Sequence, residues 1–109
     1  MPGLTKPFEL VPDRKLSKVE LVAAIRLAIM AEHDATALYT LQAEATDDPL
    51  VKKILLDIAD EERVHVGELT TLLEYLTQDE QKFMDKGRSE VGDKAGEVVK
   101  NVVTDGEKE

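Results

Sequence analysis

Apolar residues recur every three or four positions between residues 18 and 45, and no glycine or proline interrupts them. This period is typical of a helix with one buried face. Ser17 and Glu20 have the spacing of a capping box, and Leu16 and Leu21 are placed as the hydrophobic staple beside it. The pattern therefore predicts a first long helix over residues 18–45.

A second apolar stripe follows the turn residues Thr46–Pro49. Asp48 suits the N-cap of a helix, and Pro49 suits its first position, where the missing N–H has no partner to lose. The stripe contains Val51, Ile54, Leu55, Ile58, Leu69, Leu72 and Leu76. Two long helices joined by a short turn pack side by side, so the sequence predicts an antiparallel hairpin and an all-α fold.

A third, shorter element is predicted after the hairpin. Thr77–Glu80 has the spacing of a second capping box, and Gly87 is placed to end the helix that follows it. Beyond Gly87, the stretch Ala95–Val103 forms one apolar patch, in which β-branched valines make the helix propensity modest. We expect a short helix there, and we expect its Val98–Val103 patch to pack against another subunit.

The first fifteen residues contain three prolines, Pro2, Pro7 and Pro12, and are predicted to form an extended arm. Its apolar side chains suit packing on a partner, with a disordered leader as the alternative; they are Leu4, Phe8, Leu10 and Val11. The predicted organisation is an arm over residues 1–15, a hairpin domain with the start of a third helix over 16–86, and a short amphipathic segment with a flexible tail over 87–109.

The amino-acid composition of the chain excludes several classes of function. The 109 residues include 14 Lys and Arg against 23 Asp and Glu, a net charge of −9. This balance repels phosphate backbones, so nucleic-acid binding is not expected. The absence of cysteine excludes disulfides, thiolate metal sites and iron–sulfur clusters. No apolar run reaches the ~20 residues of a membrane span and no secretory signal is recognisable, so we expect a soluble intracellular protein.

Glu62-x-x-His65 places a carboxylate and an imidazole on one face of the second helix, within its apolar stripe. Burying ionised groups there is unfavourable unless they are paired or bind a metal. Glu32 lies in the stripe of the first helix. Glu32 and Glu62 are each fifteen residues from Asp47 at the turn, about 22 Å along a helix, so the hairpin brings them to one level. The pattern predicts a metal site made of Glu32, Glu62 and His65.

This trio is half of a known donor set. Non-haem di-iron carboxylate bundles take one Glu from each of two helices and Glu-x-x-His from each of the other two. Two copies of the chain related by a two-fold axis supply four carboxylates and two imidazoles. We therefore expect a homodimer that completes a four-helix bundle around the metal. Oxygen donors and imidazole suit Fe(II), Mn(II) or Zn(II), and a di-iron site suits oxidation of Fe(II) by dioxygen, which is ferroxidase chemistry.

Two other functions are consistent with the same residues. One is a ferritin-like di-iron or di-manganese protein that consumes peroxide. The other is a non-enzymatic helical scaffold or cargo adaptor, in which the buried Glu and His side chains only set the specificity of helix pairing.

Two further residues near the trio, Tyr39 and Glu61, are candidates for supporting roles. Tyr39 lies two turns beyond Glu32 in the stripe, and is either a core residue or a redox-active or supporting group beside the metal. Glu61 is either a solvated partner of a basic residue or an auxiliary ligand that guides iron to the site. His33 and Asp34 are predicted to lie on the surface.

The sequence between about Leu27 and Leu76 resembles the encapsulated ferritins, a branch of the ferritin-like superfamily. The matching segments are Ala31–Ala35, Leu38–Tyr39, Thr46–Pro49, Lys53–Leu55 and Asp60–His65. The resemblance implies a hairpin subunit with a short C-terminal helix, whose dimers form a di-iron ferroxidase centre and assemble into a ring, a decamer in that family. It also implies a cytoplasmic location inside an encapsulin nanocompartment, whose shell protein is the partner and holds the oxidised iron.

The resemblance also assigns roles to individual positions. Glu32, Glu62 and His65 match the family's iron ligands. Tyr39 matches a tyrosine beside the centre, and Asp34 matches an acidic position associated with secondary metal binding.

Some positions depart from the family pattern. Ala31 stands where an acidic residue is common, and Leu38 stands where an aromatic residue is common, so no role in metal access is assigned to either. The C-terminus lacks the glycine- and leucine-bearing tail by which such cargo docks to its shell. Docking to the shell is therefore different here, or the chain is a fragment of a longer protein.

Overall fold

The computed structural model describes residues 13–107, with the side chains of residues 13–99. The described chain contains three α-helices: α1 (Lys18–Glu44), α2 (Pro49–Thr77) and α3 (Glu80–Glu107). No strand occurs within residues 13–107, so the predicted all-α class is confirmed. None of these helices combines the length and apolar character needed to cross a membrane.

The first helix begins at the predicted capping box. The Ser17 side-chain oxygen accepts from the Glu20 backbone N–H at 3.2 Å, and the Glu20 carboxylate accepts from the Ser17 N–H at 3.0 Å. The Arg14 guanidinium donates two further bonds to the same carboxylate, at 2.8 and 2.6 Å. This guanidinium, with the Ser17 backbone and side chain, lowers the pKa of Glu20 from 4.5 to about 2. Four side-chain and backbone bonds therefore fix the start of α1.

The turn between α1 and α2 is also closed by local bonds. The Ala45 N–H donates to the carbonyls of Leu41 and Gln42, which ends α1 one residue before the predicted limit. Asp48 Oδ1 accepts from the backbone N–H groups of Leu50 and Val51, both at 3.0 Å. The predicted N-cap of the second helix is confirmed, and the short connection forces α2 to return along α1.

The hairpin buries few large side chains in the single chain. Among the described hydrophobic residues, Ala43, Ala59 and Leu73 are the buried ones. Two of the three are alanines, which have no atoms beyond Cβ to hold the helices apart. Large apolar side chains such as Val64 and Tyr75 are exposed. Exposed apolar side chains that form one contiguous patch mark an interaction site.

The third helix is longer than the sequence predicts. Gly87 lies inside α3, so the prediction that it ends the helix is wrong, and Val98 and Val99 belong to this same helix. A terminating glycine adopts a left-handed conformation, but no described glycine has a positive φ. A helical glycine costs only about 1 kcal/mol relative to alanine, and the surrounding Lys, Arg, Glu and Ala residues favour continuation.

The chain divides into two compact units between Thr77 and Gln78, the second unit containing α3. Gln78 has a φ of 61°, the left-handed backbone that separates α2 from α3. The break at Thr77–Glu80 lies where the sequence predicts it. The predicted arm over residues 1–15 falls almost entirely outside the described residues.

Candidate metal centre

Glu32, Glu62 and His65 come together between α1 and α2. Each offers one ligand atom, and these atoms all lie within 4.8 Å of one another. His65 Nδ1 is 3.5 Å from Glu32 Oε2 and 3.5 Å from Glu62 Oε2. These separations exceed the 2.7–3.2 Å of a good N–H···O bond. One imidazole nitrogen therefore faces two carboxylates without closing a strong hydrogen bond to either.

The two helices position the trio through their period and their shared turn. Glu62 and His65 lie one helical turn apart on α2, and Glu32 meets them from α1. In the same turn of α1, the Thr36 hydroxyl donates a hydrogen bond to the Glu32 backbone carbonyl at 2.8 Å. The fifteen-residue spacing on each side of Asp47 thus brings Glu32 and Glu62 to the same level, as predicted.

Burial differs across the trio. The Glu62 side chain is 18% exposed and the Glu32 side chain 26%, whereas the His65 side chain is 47% exposed. The carboxylates therefore lie within the hairpin seam, and the imidazole lies at its edge. An open imidazole face leaves room for a metal or for another chain above it.

The donor geometry fits a divalent cation. Metal bonds of about 2.0–2.2 Å to nitrogen and oxygen hold ligand atoms roughly 3–4 Å apart, close to the separations in the trio. Two carboxylates and one imidazole suit Fe(II), Mn(II) or Zn(II). A cation bound between the two carboxylates and the imidazole would offset their partial burial.

The other candidate residues lie outside this group. Glu61, Asp34 and His33 are exposed, and the surface position predicted for His33 and Asp34 is confirmed. Tyr39 is half-buried on α1. No further His, Asp or Glu joins the trio within the part of the chain that the structure describes. Supporting roles for Tyr39, Glu61 and Asp34 stay predictions.

A helical hairpin that contributes Glu from one helix and Glu-x-x-His from the other defines half of a ferritin-like carboxylate bundle. The rubrerythrin family model matches residues 24–105, so the chain belongs to the rubrerythrin family. The solved encapsulated ferritin domain from Pyrococcus furiosus is similar, with a TM-score of 0.75 and 42% sequence identity over 78% of this chain and 87% of that one. The resemblance to the encapsulated ferritins is confirmed.

Two curated relatives extend the comparison. The chain is 40% identical over 97 residues to a ferritin-like–encapsulin shell fusion protein of Pyrococcus furiosus, covering 89% of this chain and 28% of that protein. It is 44% identical over 63 residues to the encapsulin nanocompartment cargo protein EncC of Myxococcus xanthus, covering 58% of this chain and 48% of that protein. The chain thus spans between about a quarter and half of the length of these relatives.

Proposed function

We propose that this protein is a ferroxidase that oxidises Fe(II) to Fe(III) at a di-iron centre shared between two copies of the chain. The oxidised iron is sequestered inside an encapsulin compartment. One observation carries the proposal: Glu32, Glu62 and His65 gather into one group whose composition is half of a di-iron donor set.

A second copy of the chain supplies the other half. Two trios related by a two-fold axis contain four carboxylates and two imidazoles, enough to hold two iron ions with bridging carboxylates. The exposure of His65, at 47%, leaves the imidazole accessible to such a partner. Exposed apolar side chains on the same hairpin, among them Leu27, Leu38, Ile54 and Leu72, are the kind of surface that a second hairpin buries.

Iron is the substrate of this site. Each ferrous ion loses one electron, so a pair of ions reduces dioxygen to hydrogen peroxide, with two protons taken from solvent. Glu32 and Glu62 supply the negative charge that stabilises the ferric product, and His65 supplies a neutral nitrogen donor. Coordination positions on the iron that the trio does not occupy would be open to dioxygen.

An encapsulin shell is the proposed partner, and the cytoplasmic interior of that shell is the proposed location. The names of the two curated relatives support this: one is fused to an encapsulin shell and the other is an encapsulin cargo protein. We propose that dimers assemble further into a ring, and that the net charge of −9 favours a high local concentration of ferrous ions.

An anaerobic titration tests the proposal. Fe(II) is added to the apoprotein while stoichiometry and oligomer mass are measured, and air is then admitted while ferric absorbance and peroxide are recorded. We expect about one iron per chain, since two chains share a pair of ions, and we expect the mass to shift toward an even number of chains.

The same titration distinguishes the other functions. Absence of iron uptake with an unchanged oligomer contradicts the ferroxidase and favours a helical scaffold. Consumption of added peroxide that outpaces oxygen use favours a peroxidase. Uptake of one iron per chain by a protein that remains monomeric contradicts the shared centre while leaving a single-chain metal site.

A further inference from the structure

The open end of the hairpin carries an apolar notch that no described side chain fills. Lys18, Val19 and Val22 line it from α1, and Leu76 and Thr77 line it from α2, around a volume of about 340 Å³. A cavity of about 150 Å³ accepts a benzene molecule, so this notch has room for two large apolar side chains. Val19, at its rim, is 81% exposed.

The arm that precedes α1 has the composition to fill this notch. Phe8 and Leu10 are separated by one residue, so an extended chain presents both on one side. Pro7 and Pro12 bracket them, and proline disfavours a helix at its own position and at the residue before it.

The described chain directs the arm toward the same end of the hairpin. Arg14 holds Glu20 in the first turn of α1 through bonds at 2.8 and 2.6 Å, so residue 14 runs beside the turn that contains Lys18 and Val19. Leu10 lies three residues before Asp13, a reach of up to about 10 Å. A tether this short gives an effective concentration in the millimolar range, which favours the chain's own arm over a partner in solution.

We propose that the N-terminal arm docks on its own hairpin, with Phe8 and Leu10 seated in the notch between Val19, Val22 and Leu76. The arm then covers the apolar end of the hairpin opposite the α1–α2 turn. This end is about 20 Å along α1 from Glu32, so docking is independent of metal binding.

A tryptophan reporter tests the docking, because the chain contains no Trp. We expect Phe8→Trp to emit at a shorter wavelength, and to be quenched less by acrylamide, than Thr5→Trp, which places the same reporter beyond Pro7. Val19→Asp, at an exposed position that the fold tolerates, is expected to return the Phe8→Trp emission to that of Thr5→Trp. Helicity measured by circular dichroism shows that each variant is folded.

A cysteine pair identifies the hairpin that the arm occupies, because the chain contains no cysteine. We expect Leu10→Cys with Val19→Cys to form a disulfide within one chain under mild oxidation. Leu10→Cys with Val64→Cys, an exposed α2 position about 18 Å from Leu76, is the control that stays reduced. A disulfide between chains overturns the proposal in favour of an exchanged arm, and equal emission of the two tryptophan variants overturns docking altogether.

Discussion

The α1–α2 hairpin and α3 both carry apolar residues at helical spacing, but they differ in what that spacing achieves. In the hairpin, a short turn makes each helix the partner of the other, and Leu73 is 3% exposed. In α3, every side chain from residue 81 to 99 is exposed, and an open apolar groove runs past Phe83, Met84 and Val91. The same pattern therefore buries side chains only where the chain returns on itself.

The surroundings of the acidic side chains differ between the hairpin and α3 in the same way. In the hairpin seam, carboxylates lie close together and are partly shielded from water, so a bound cation would stabilise their charge. On α3 the Asp85 carboxylate remains in solvent and pairs with a neighbour one turn away, Arg88 at 2.8 Å. A group of side chains able to hold a metal ion therefore forms in the hairpin, while Asp85 of α3 forms an ordinary surface ion pair.

The largest expected effect is a difference in the rate of Fe(II) oxidation between variants of two adjacent residues of α2, Glu62 and Glu61. Glu62→Ala is expected to reduce Fe(II) oxidation by more than about 100-fold, because even residues that only support metal ligands cost about 10–100-fold. Glu61→Ala is the matched control, since Glu61 is exposed and lies outside the group. Initial rates of ferric absorbance measure both, and equal losses in the two variants contradict the assignment of ligands.

The next effect compares a buried leucine of the hairpin with an exposed valine of α3. Leu73→Ala is expected to lower the free energy of unfolding by about 2–5 kcal/mol, because it leaves a cavity between packed helices. Val91→Ala, at a position that is 67% exposed, is expected to change it by less than about 0.5 kcal/mol. Urea denaturation of the metal-free protein measures both. A large loss from Val91→Ala reveals a partner that covers α3.

Glycine-to-alanine substitutions also compare α2 with α3. An added Cβ at Gly67 in α2 or at Gly92 in α3 meets nothing within 4 Å in the single chain. Each Gly→Ala change is therefore expected to stabilise its helix by about 0.5–1 kcal/mol. Circular dichroism and urea denaturation detect the gain. Destabilisation by either substitution indicates that another chain approaches that glycine closely.

The smallest expected effect concerns the start of the hairpin and depends on pH. The pKa of Glu20 is lowered in the folded chain, so its pairing with Arg14 stabilises the fold above pH 4.5 and is lost as the pH falls toward about 2. The melting temperature of Glu20→Gln is expected to lie below that of the wild type at neutral pH, and to converge with it on acidification. Arg14→Gln should show the same dependence, and a constant difference at all pH values excludes this ion pair as the cause.

Much of the hairpin was predictable because its signals are local. Ser17 and Asp48 cap their helices through bonds that span two or three residues, and the sequence displays such spacings directly. The meeting of Glu32 with Glu62 was predictable as well, because equal distances from one turn fix their level. The length of α3 was not predictable from Gly87, since a glycine stops a helix only when its backbone turns left-handed.

The sequence by itself determined the helical class, the two caps, the turn and the identity of the trio, because each rests on periodicity or on bonds between near neighbours. The tertiary structure decided how much of each side chain of the trio faces solvent, with Glu62 at 18% and His65 at 47% exposed. Exposure depends on the distance and rotation of one helix against the other, and no local signal encodes these. The structure also showed that α3 continues through its glycines, because helix propagation outweighs a penalty of about 1 kcal/mol at a single residue.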